Sequence, residues 1–134
     1  MIGIVIAAHG TLASSFVDTV EIFAGKSEKL ISVDLSPDAG PETFIKHLKE
    51  KTNEIDEGDG VLILADLYGG TPSNSSLRLI AENDNWLIVT GVNLTMLLEV
   101  VLNRNNCKSV QELAESAVNS SREGIQMLTP LITK

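Results

Sequence analysis

The sequence is poor in cysteine, histidine and basic residues, and it has no long hydrophobic run. Its single cysteine, Cys107, excludes an internal disulfide, and no group of Cys or His residues has the spacing of a zinc site. The net charge of −8 leaves no basic stripe that could bind a nucleic-acid backbone. No apolar stretch approaches the length of a membrane span, and the N-terminus lacks the basic region of a signal peptide. We therefore expect a cytoplasmic protein with no metal and no cofactor.

What the sequence does contain is an alternation of short apolar runs with helical patterns. Strands are predicted at 2–8, 30–35, 61–65 and 86–90, and helices at 13–24, 41–55, 72–81, 94–102 and 110–123. This alternation predicts one α/β domain, residues 1–134, built as a three-layer sandwich around a central, mainly parallel sheet. The apolar tail IQMLTPLIT predicts a last strand, which Pro130 restricts to an edge of the sheet.

Two side chains follow strands at the edge where ligands gather in such sheets. His9 ends the first strand, in AAHG, and Asp66 ends the third, in VLILAD. In parallel sheets the chemistry lies beyond the carboxyl ends of the strands. A carboxylate facing one imidazole nitrogen would fix the tautomer and leave the other nitrogen free to act as a nucleophile or a base. The alternatives are a structural histidine and an aspartate that caps the following turn.

The segment GGTPSN lies next to Asp66 and predicts the start of a helix. Gly69 and Gly70 permit backbone conformations with positive φ, Thr71 is a good N-cap, and Pro72 suits a first turn. Free N–H groups at a helix start, together with the helix dipole, bind anions without a lysine. The segment is either an ordinary capped helix start or an anion site. With a nearby nucleophilic histidine, an anion site would suit phosphoryl transfer.

The other histidine and the cysteine lack such surroundings. His47 belongs to the charged helix FIKHLKEK, which predicts a solvated surface position. Cys107 lies in the polar stretch NRNNCKS without a recognisable motif. We assign neither residue a role.

Three segments together carry a resemblance to a known family. AHG after the first strand, ADLYGGTPSN and GVNLTMLLE occur in this order and spacing, and the chain resembles the enzyme IIA component of the mannose-type sugar phosphotransferase system. The resemblance implies a phosphotransferase with a phosphohistidine intermediate. The phosphocarrier HPr would donate a phosphoryl group, which would pass to a histidine of the IIB component. The IIC and IID membrane components would then take up the sugar and release it in phosphorylated form.

The resemblance also implies roles for particular residues. His9 would be phosphorylated on Nε2, Asp66 would orient it through Nδ1, and the phosphoryl group would be bound by Gly10, Gly69, Gly70 and Thr71. The family's fold implies four parallel strands and a C-terminal antiparallel edge strand that is exchanged between the subunits of a homodimer. Alternatively, that strand folds back on its own sheet.

Some departures and competing families remain. Some members have tryptophan where Leu67 or Tyr68 stands, and many continue into a fused IIB domain, whereas this chain ends at Lys134 and is expected to be a free-standing IIA. Histidine phosphatases and small cobalt chelatases fit poorly, because Ala8 precedes His9 and a second histidine is badly placed. Closer alternatives are the phosphotransferase subunit of dihydroxyacetone kinase and a IIA-like regulatory module. The resemblance implies that sugar specificity resides mainly in other components of the system.

Overall fold

The computed structural model describes residues 1–130, in which strands and helices alternate from β1 to α4 and a further helix follows. The elements are, in order, β1 (Gly3–His9), α1 (Leu12–Ala24), β2 (Leu30–Leu35), α2 (Pro41–Ile55), β3 (Val61–Ala65), α3 (Gly70–Ile80), β4 (Trp86–Thr90), α4 (Leu94–Asn103) and α5 (Val110–Glu123). A 3-10 turn, Arg104–Asn106, connects α4 to α5.

The four strands form one sheet in the order β2-β1-β3-β4, and every pairing is parallel. All strands therefore end at the same side of the sheet, which we call the carboxyl edge, and begin at the opposite side, the amino edge. The register places Ala8 of β1 beside Asp34 of β2, and Ala7 beside Ala65 of β3. β1 and β3 are central, so their loops meet in the middle of the carboxyl edge.

The helices cover both faces of the sheet. Alternate residues of β1 point to opposite faces: Ile4 and Ile6 pack in a core with α1, α4 and α5, whereas Val5 and Ala7 pack in a second core with α2 and α3. Burial on both faces explains why β1 and β3 are continuous apolar runs rather than alternating ones. The predicted three-layer α/β sandwich around a parallel sheet is confirmed.

The chain leaves β1 and β3 in opposite directions. α1 connects β1 to β2 on one face, whereas α3 connects β3 to β4 on the other face. The strand order thus reverses between β1 and β3, and a crevice opens at their carboxyl ends. Ligands in open α/β sheets bind at such a switch point.

Helix α3 begins two residues earlier than predicted. Its N-cap is Gly69, not Thr71, and Gly70 is its first residue, so that Thr71 and Pro72 both lie inside the first turn. Gly69 and Gly70 adopt φ values of +92° and +80°, which a side chain disfavours and which lie outside the right-handed helical region. The chain therefore turns at these two glycines, and the threonine that was predicted as the N-cap comes after the helix boundary.

The C-terminal tail contains no strand where the structure describes it. Residues 125–129 have no regular structure, and Ile125, Met127 and Leu128 are exposed. The rest of the predicted strand, 131–133, lies outside the described residues. A fifth strand and its exchange between subunits therefore stay predictions.

One buried arginine connects distant segments at the amino edge. Arg104 is 4% exposed, and its guanidinium donates hydrogen bonds to the carbonyls of Ile2 at 3.2 Å and Lys29 at 3.0 Å. It also donates to the carbonyl of Glu28. Burial lowers the pKa of Arg104 from its ordinary value, although the Glu28 carboxylate opposes this shift. Arg104 thus fixes the segments that precede β1 and β2.

Candidate functional site

His9 and Asp66 meet at the switch point and form a hydrogen-bonded pair. His9 Nδ1 lies 2.9 Å from Asp66 Oδ2, and the His9 backbone N–H donates to the same oxygen at 3.0 Å. The Leu67 N–H donates to Asp66 Oδ1 at 2.9 Å. Two backbone amides thus fix the carboxylate, which in turn orients the imidazole ring. A carboxylate accepts hydrogen bonds, so Nδ1 carries the hydrogen and the lone pair of Nε2 points away from Asp66.

The pair combines a sheltered carboxylate with an accessible ring. The side chain of Asp66 is 10% exposed, whereas that of His9 is 44% exposed. Burial raises the pKa of Asp66, but the hydrogen bonds from the backbone and ring of His9 outweigh burial and leave this pKa below its ordinary value. Asp66 is therefore ionised at neutral pH, and a reagent can reach His9 from solvent.

Gly70 brings the start of α3 close to the free ring nitrogen. A β-carbon built on Gly70 would lie 3.3 Å from His9 Cε1 and 3.5 Å from His9 Nε2. A side chain there would occupy the space beside Nε2. Gly69 and Thr71 flank this position, as N-cap and second helical residue. The structure thus brings Gly70 to the side of the ring that Asp66 does not contact, with Gly69 and Thr71 next to it in the chain.

Gly10 follows His9 at the crevice, but its N–H already donates a hydrogen bond within the protein. Its N–H donates to the carbonyl of Leu35 at 2.8 Å, and no atom lies within 4 Å of a β-carbon built there. Gly10 has a φ of +61°, so it lets the chain turn directly after His9. It leaves open space beside the site and fixes the turn to β2.

Four helices begin at the carboxyl edge, and their first turns differ. Ser14 of α1 donates to the Asp34 carboxylate, α2 carries Glu42, and the Asn93 side chain caps α4. Among the helices that begin at this edge within residues 1–130, α3 differs from the other three. Its N-cap residue makes no side-chain hydrogen bond, and no acidic residue lies in its first turn or binds to it. The positive end of its dipole is therefore not compensated by a side-chain cap or by an acidic residue in its own first turn.

Three exposed apolar side chains, which we call the apolar rim, follow the pair closely along the chain: Leu12 comes three residues after His9, and Leu67 and Tyr68 come directly after Asp66. Tyr68 is 95% exposed, and the other two side chains are about half exposed. Large exposed apolar side chains next to a reactive group are typical of an interaction surface. The two loops that carry His9 and Asp66 therefore also carry exposed apolar groups.

The residues that were assigned no role lie elsewhere. His47 is exposed on α2, and Cys107 follows the 3-10 turn at the amino edge, where burial and the nearby Glu112 and Glu99 raise its pKa. In residues 1–130 no group of His, Cys, Asp or Glu could hold a metal ion, and no helix there is long and apolar enough to cross a membrane.

Sequence reasoning missed Asp34, which lies at the carboxyl end of β2. Asp34 Oδ1 accepts from the Ser14 N–H at 3.0 Å, and Oδ2 accepts from the Ser14 hydroxyl at 2.7 Å. The available signal was an aspartate near the end of a predicted strand, in the same kind of position as Asp66. Recognising it required the strand order, which places β2 next to β1.

This arrangement defines a class: α/β proteins with a parallel sheet and a histidine–carboxylate pair at the switch point beside an open helix start. Comparison with known proteins identifies the family. The model of the PTS system fructose IIA component family, EIIA-man, matches residues 3–118. The chain belongs to this family, the mannose-type IIA components of the sugar phosphotransferase system.

Individual relatives agree with this assignment. The mannose-specific EIIAB component of Escherichia coli K12 is 34% identical over 127 residues, which is 95% of this chain but 39% of that protein. The chain therefore spans about two fifths of that relative. The sorbose-specific EIIA component of Lacticaseibacillus casei is 30% identical over 97% of this chain and 93% of its own. The crystal structure of EIIA from Streptococcus agalactiae is 32% identical, with a TM-score of 0.87 over 95% of this chain and 97% of that one.

Proposed function

We propose that this chain, as a single IIA domain over residues 1–134, carries phosphoryl groups during sugar uptake. His9 Nε2 attacks the phosphorus of phospho-HPr, a Nε2–P bond forms as the N–P bond of HPr breaks, and the HPr histidine recovers its lone pair. The group then passes to a histidine of the IIB component by the same exchange. The sugar is phosphorylated later, with the IIC and IID membrane components.

One observation carries this proposal: Asp66 engages Nδ1 of His9, while Nε2 faces the open start of α3. Holding Nδ1–H directs the Nε2 lone pair outward, and the carboxylate stabilises the positive charge that the ring acquires during attack. The N–H groups at Gly70 and Thr71 supply donors for the phosphoryl oxygens. The positive end of the helix dipole offers partial compensation for the charge of the phosphoryl group.

The apolar rim supports exchange with two different protein partners. HPr and IIB must each present a histidine to the same Nε2, so each has to dock around His9. Leu12, Leu67 and Tyr68 provide contact area at the point where both partners must bind. We propose that the two partners use this rim in turn.

We also propose that the chain forms a homodimer. β4 is an outer strand, and a groove of about 540 Å³ runs between Leu87–Val89 and α5, lined by Ala114 and Val118. The exposed apolar tail that follows α5 offers Ile125, Met127 and Leu128. The tail of a second copy would cover this groove and pair with the open edge of β4.

A labelling experiment tests the proposed function. We expect phospho-HPr to transfer labelled phosphate to the chain, giving an acid-labile and alkali-stable product, and we expect His9→Ala to abolish labelling. His47→Ala is the matched control, because it removes the other histidine, which is exposed on α2. Undiminished labelling of His9→Ala would refute the proposal. Labelling that disappears only in His47→Ala would move the site to α2.

A further inference from the structure

The turn that follows His9 is held to β2 at two points. The Gly10 N–H donates to the Leu35 carbonyl at 2.8 Å. Four residues later, Ser14 donates its backbone N–H and its hydroxyl to the two oxygens of Asp34, at 3.0 Å and 2.7 Å. The carboxylate of Asp34 therefore binds the first turn of α1 with both oxygens.

α1 needs this contact because its own cap is absent. Thr11 is the N-cap residue, with φ −103° and ψ 16°, and its side chain makes no capping hydrogen bond. The first N–H groups of a helix have no partner within the helix. Asp34 supplies an acceptor from the neighbouring strand, and its negative charge also compensates the positive end of the α1 dipole.

The register of the sheet explains why Asp34 can reach α1 and not the ring. Asp34 pairs with Ala8, which packs in the core on the α1 side of the sheet. Since side chains alternate along a strand, His9 points to the other face, toward α3. Asp34 and Asp66 thus act on opposite sides of the same strand end, one on the turn and one on the ring.

We infer that Asp34 is a positioning residue for His9, which acts through Ser14 and the turn of residues 9–12. This inference rests on the proposed phosphoryl transfer for its functional consequence. Asp66 fixes how the ring is rotated, whereas Asp34 fixes where the end of β1 and the start of α1 lie. Removing the Asp34 carboxylate frees the first turn of α1 and lets the backbone that carries His9 shift away from α3.

Two Asp34 variants and one remote control test this role. Asp34→Ala removes both acceptors, whereas Asp34→Asn keeps an oxygen for the Ser14 N–H and offers an N–H to the Ser14 hydroxyl. Ser109→Ala is the control, because Ser109 caps α5 through the Glu112 N–H at 3.1 Å. α5 begins at the amino edge, so this variant also loses a helix cap but leaves the His9 turn intact.

We expect Asp34→Ala to lower kcat for transfer from phospho-HPr by about 10- to 100-fold, because misplacing a reacting group by about 1 Å has such an effect. KM should change less than kcat, since two of the three rim residues, Leu67 and Tyr68, follow β3 and are not held by Asp34. Asp34→Asn should recover most of the rate, and Ser109→Ala should transfer at the wild-type rate. A wild-type kcat in Asp34→Ala, or a raised KM at unchanged kcat, would overturn the inference.

Two further measurements separate this inference from the proposed function. Phosphoramidate, a small donor that releases ammonia as the Nε2–P bond forms, reports on His9 without a protein partner. Amide hydrogen exchange at Gly10 reports on the turn without any reaction. If phospho-HPr fails to label even the wild type, the proposed function fails. The positioning role is then refuted only if Asp34→Ala matches Ser109→Ala in both the phosphoramidate rate and the exchange at Gly10.

Discussion

Replacing Gly70 by alanine should separate the stability of the fold from the reactivity of His9. Gly70 has a φ of +80°, so a β-carbon is disfavoured, and that carbon would lie 3.5 Å from His9 Nε2. A residue held in such a conformation costs about 1–3 kcal/mol. The same methyl group fills the space in which the phosphoryl group has to form its bond. We therefore expect a modest loss of stability together with a fall in transfer of about 10²-fold or more.

Gly25 provides a matched control at the end of α1. Its φ is +76°, and no atom lies within 4 Å of a β-carbon built on it. Gly25→Ala should therefore lower the free energy of unfolding by a similar amount, about 1–3 kcal/mol, through backbone strain alone. The free energy of unfolding is measured by urea denaturation, and transfer is measured from phospho-HPr. If Gly70→Ala transfers as fast as Gly25→Ala, Nε2 is not the phosphorylated atom or α3 does not bind the phosphoryl group.

Other consequences of the site and the tail can be measured directly. Asp66→Asn should slow transfer by about 10²- to 10⁴-fold with an unchanged circular dichroism spectrum, because an amide cannot stabilise the charged ring; rates within about twofold of wild type would remove Asp66 from the mechanism. The pKa of Asp66 is lowered in the folded protein, so its carboxylate stabilises the fold fully above the ordinary Asp pKa of about 4. This stabilisation is lost as the pH falls through the folded-state pKa. The difference in unfolding free energy between wild type and Asp66→Asn should therefore shrink in acid. Light scattering should show a dimer for the full chain and a monomer for a chain truncated after Gly124; a monomeric full chain would contradict the dimer, and a dimeric truncated chain would contradict the role of the tail.

The sequence predicted most of the fold because hydrophobic periodicity and turn residues agree along the chain. β3 and β4 occupy the predicted ranges 61–65 and 86–90, since each is a short apolar run between polar or glycine residues. The start of α3 was predicted wrongly because Thr71–Pro72 is a strong local signal for a helix start. Two consecutive glycines with positive φ make the turn that precedes Thr71, and sequence pattern does not report φ.

The site was only partly predictable, because its geometry depends on which strands are neighbours. His9 and Asp66 could be paired from the rule that chemistry gathers at carboxyl ends, and the structure brings them to 2.9 Å. Asp34 lies at an equivalent strand end, yet its contact with Ser14 depends on the register of β1 with β2. The sequence pattern of a single strand or helix does not predict how two strands are aligned with each other.

Arg104 has a consequence for the order in which the chain folds. Its carbonyl partners in Ile2 and Lys29 lie 102 and 75 residues earlier, so these bonds require the closure of very long loops. The C-terminal third must therefore dock before the guanidinium reaches its acceptors, and we expect this step late on the folding pathway. Interactions that form after the transition state govern the unfolding rate more than the folding rate. Arg104 should thus determine how long the native state persists rather than how quickly it is reached.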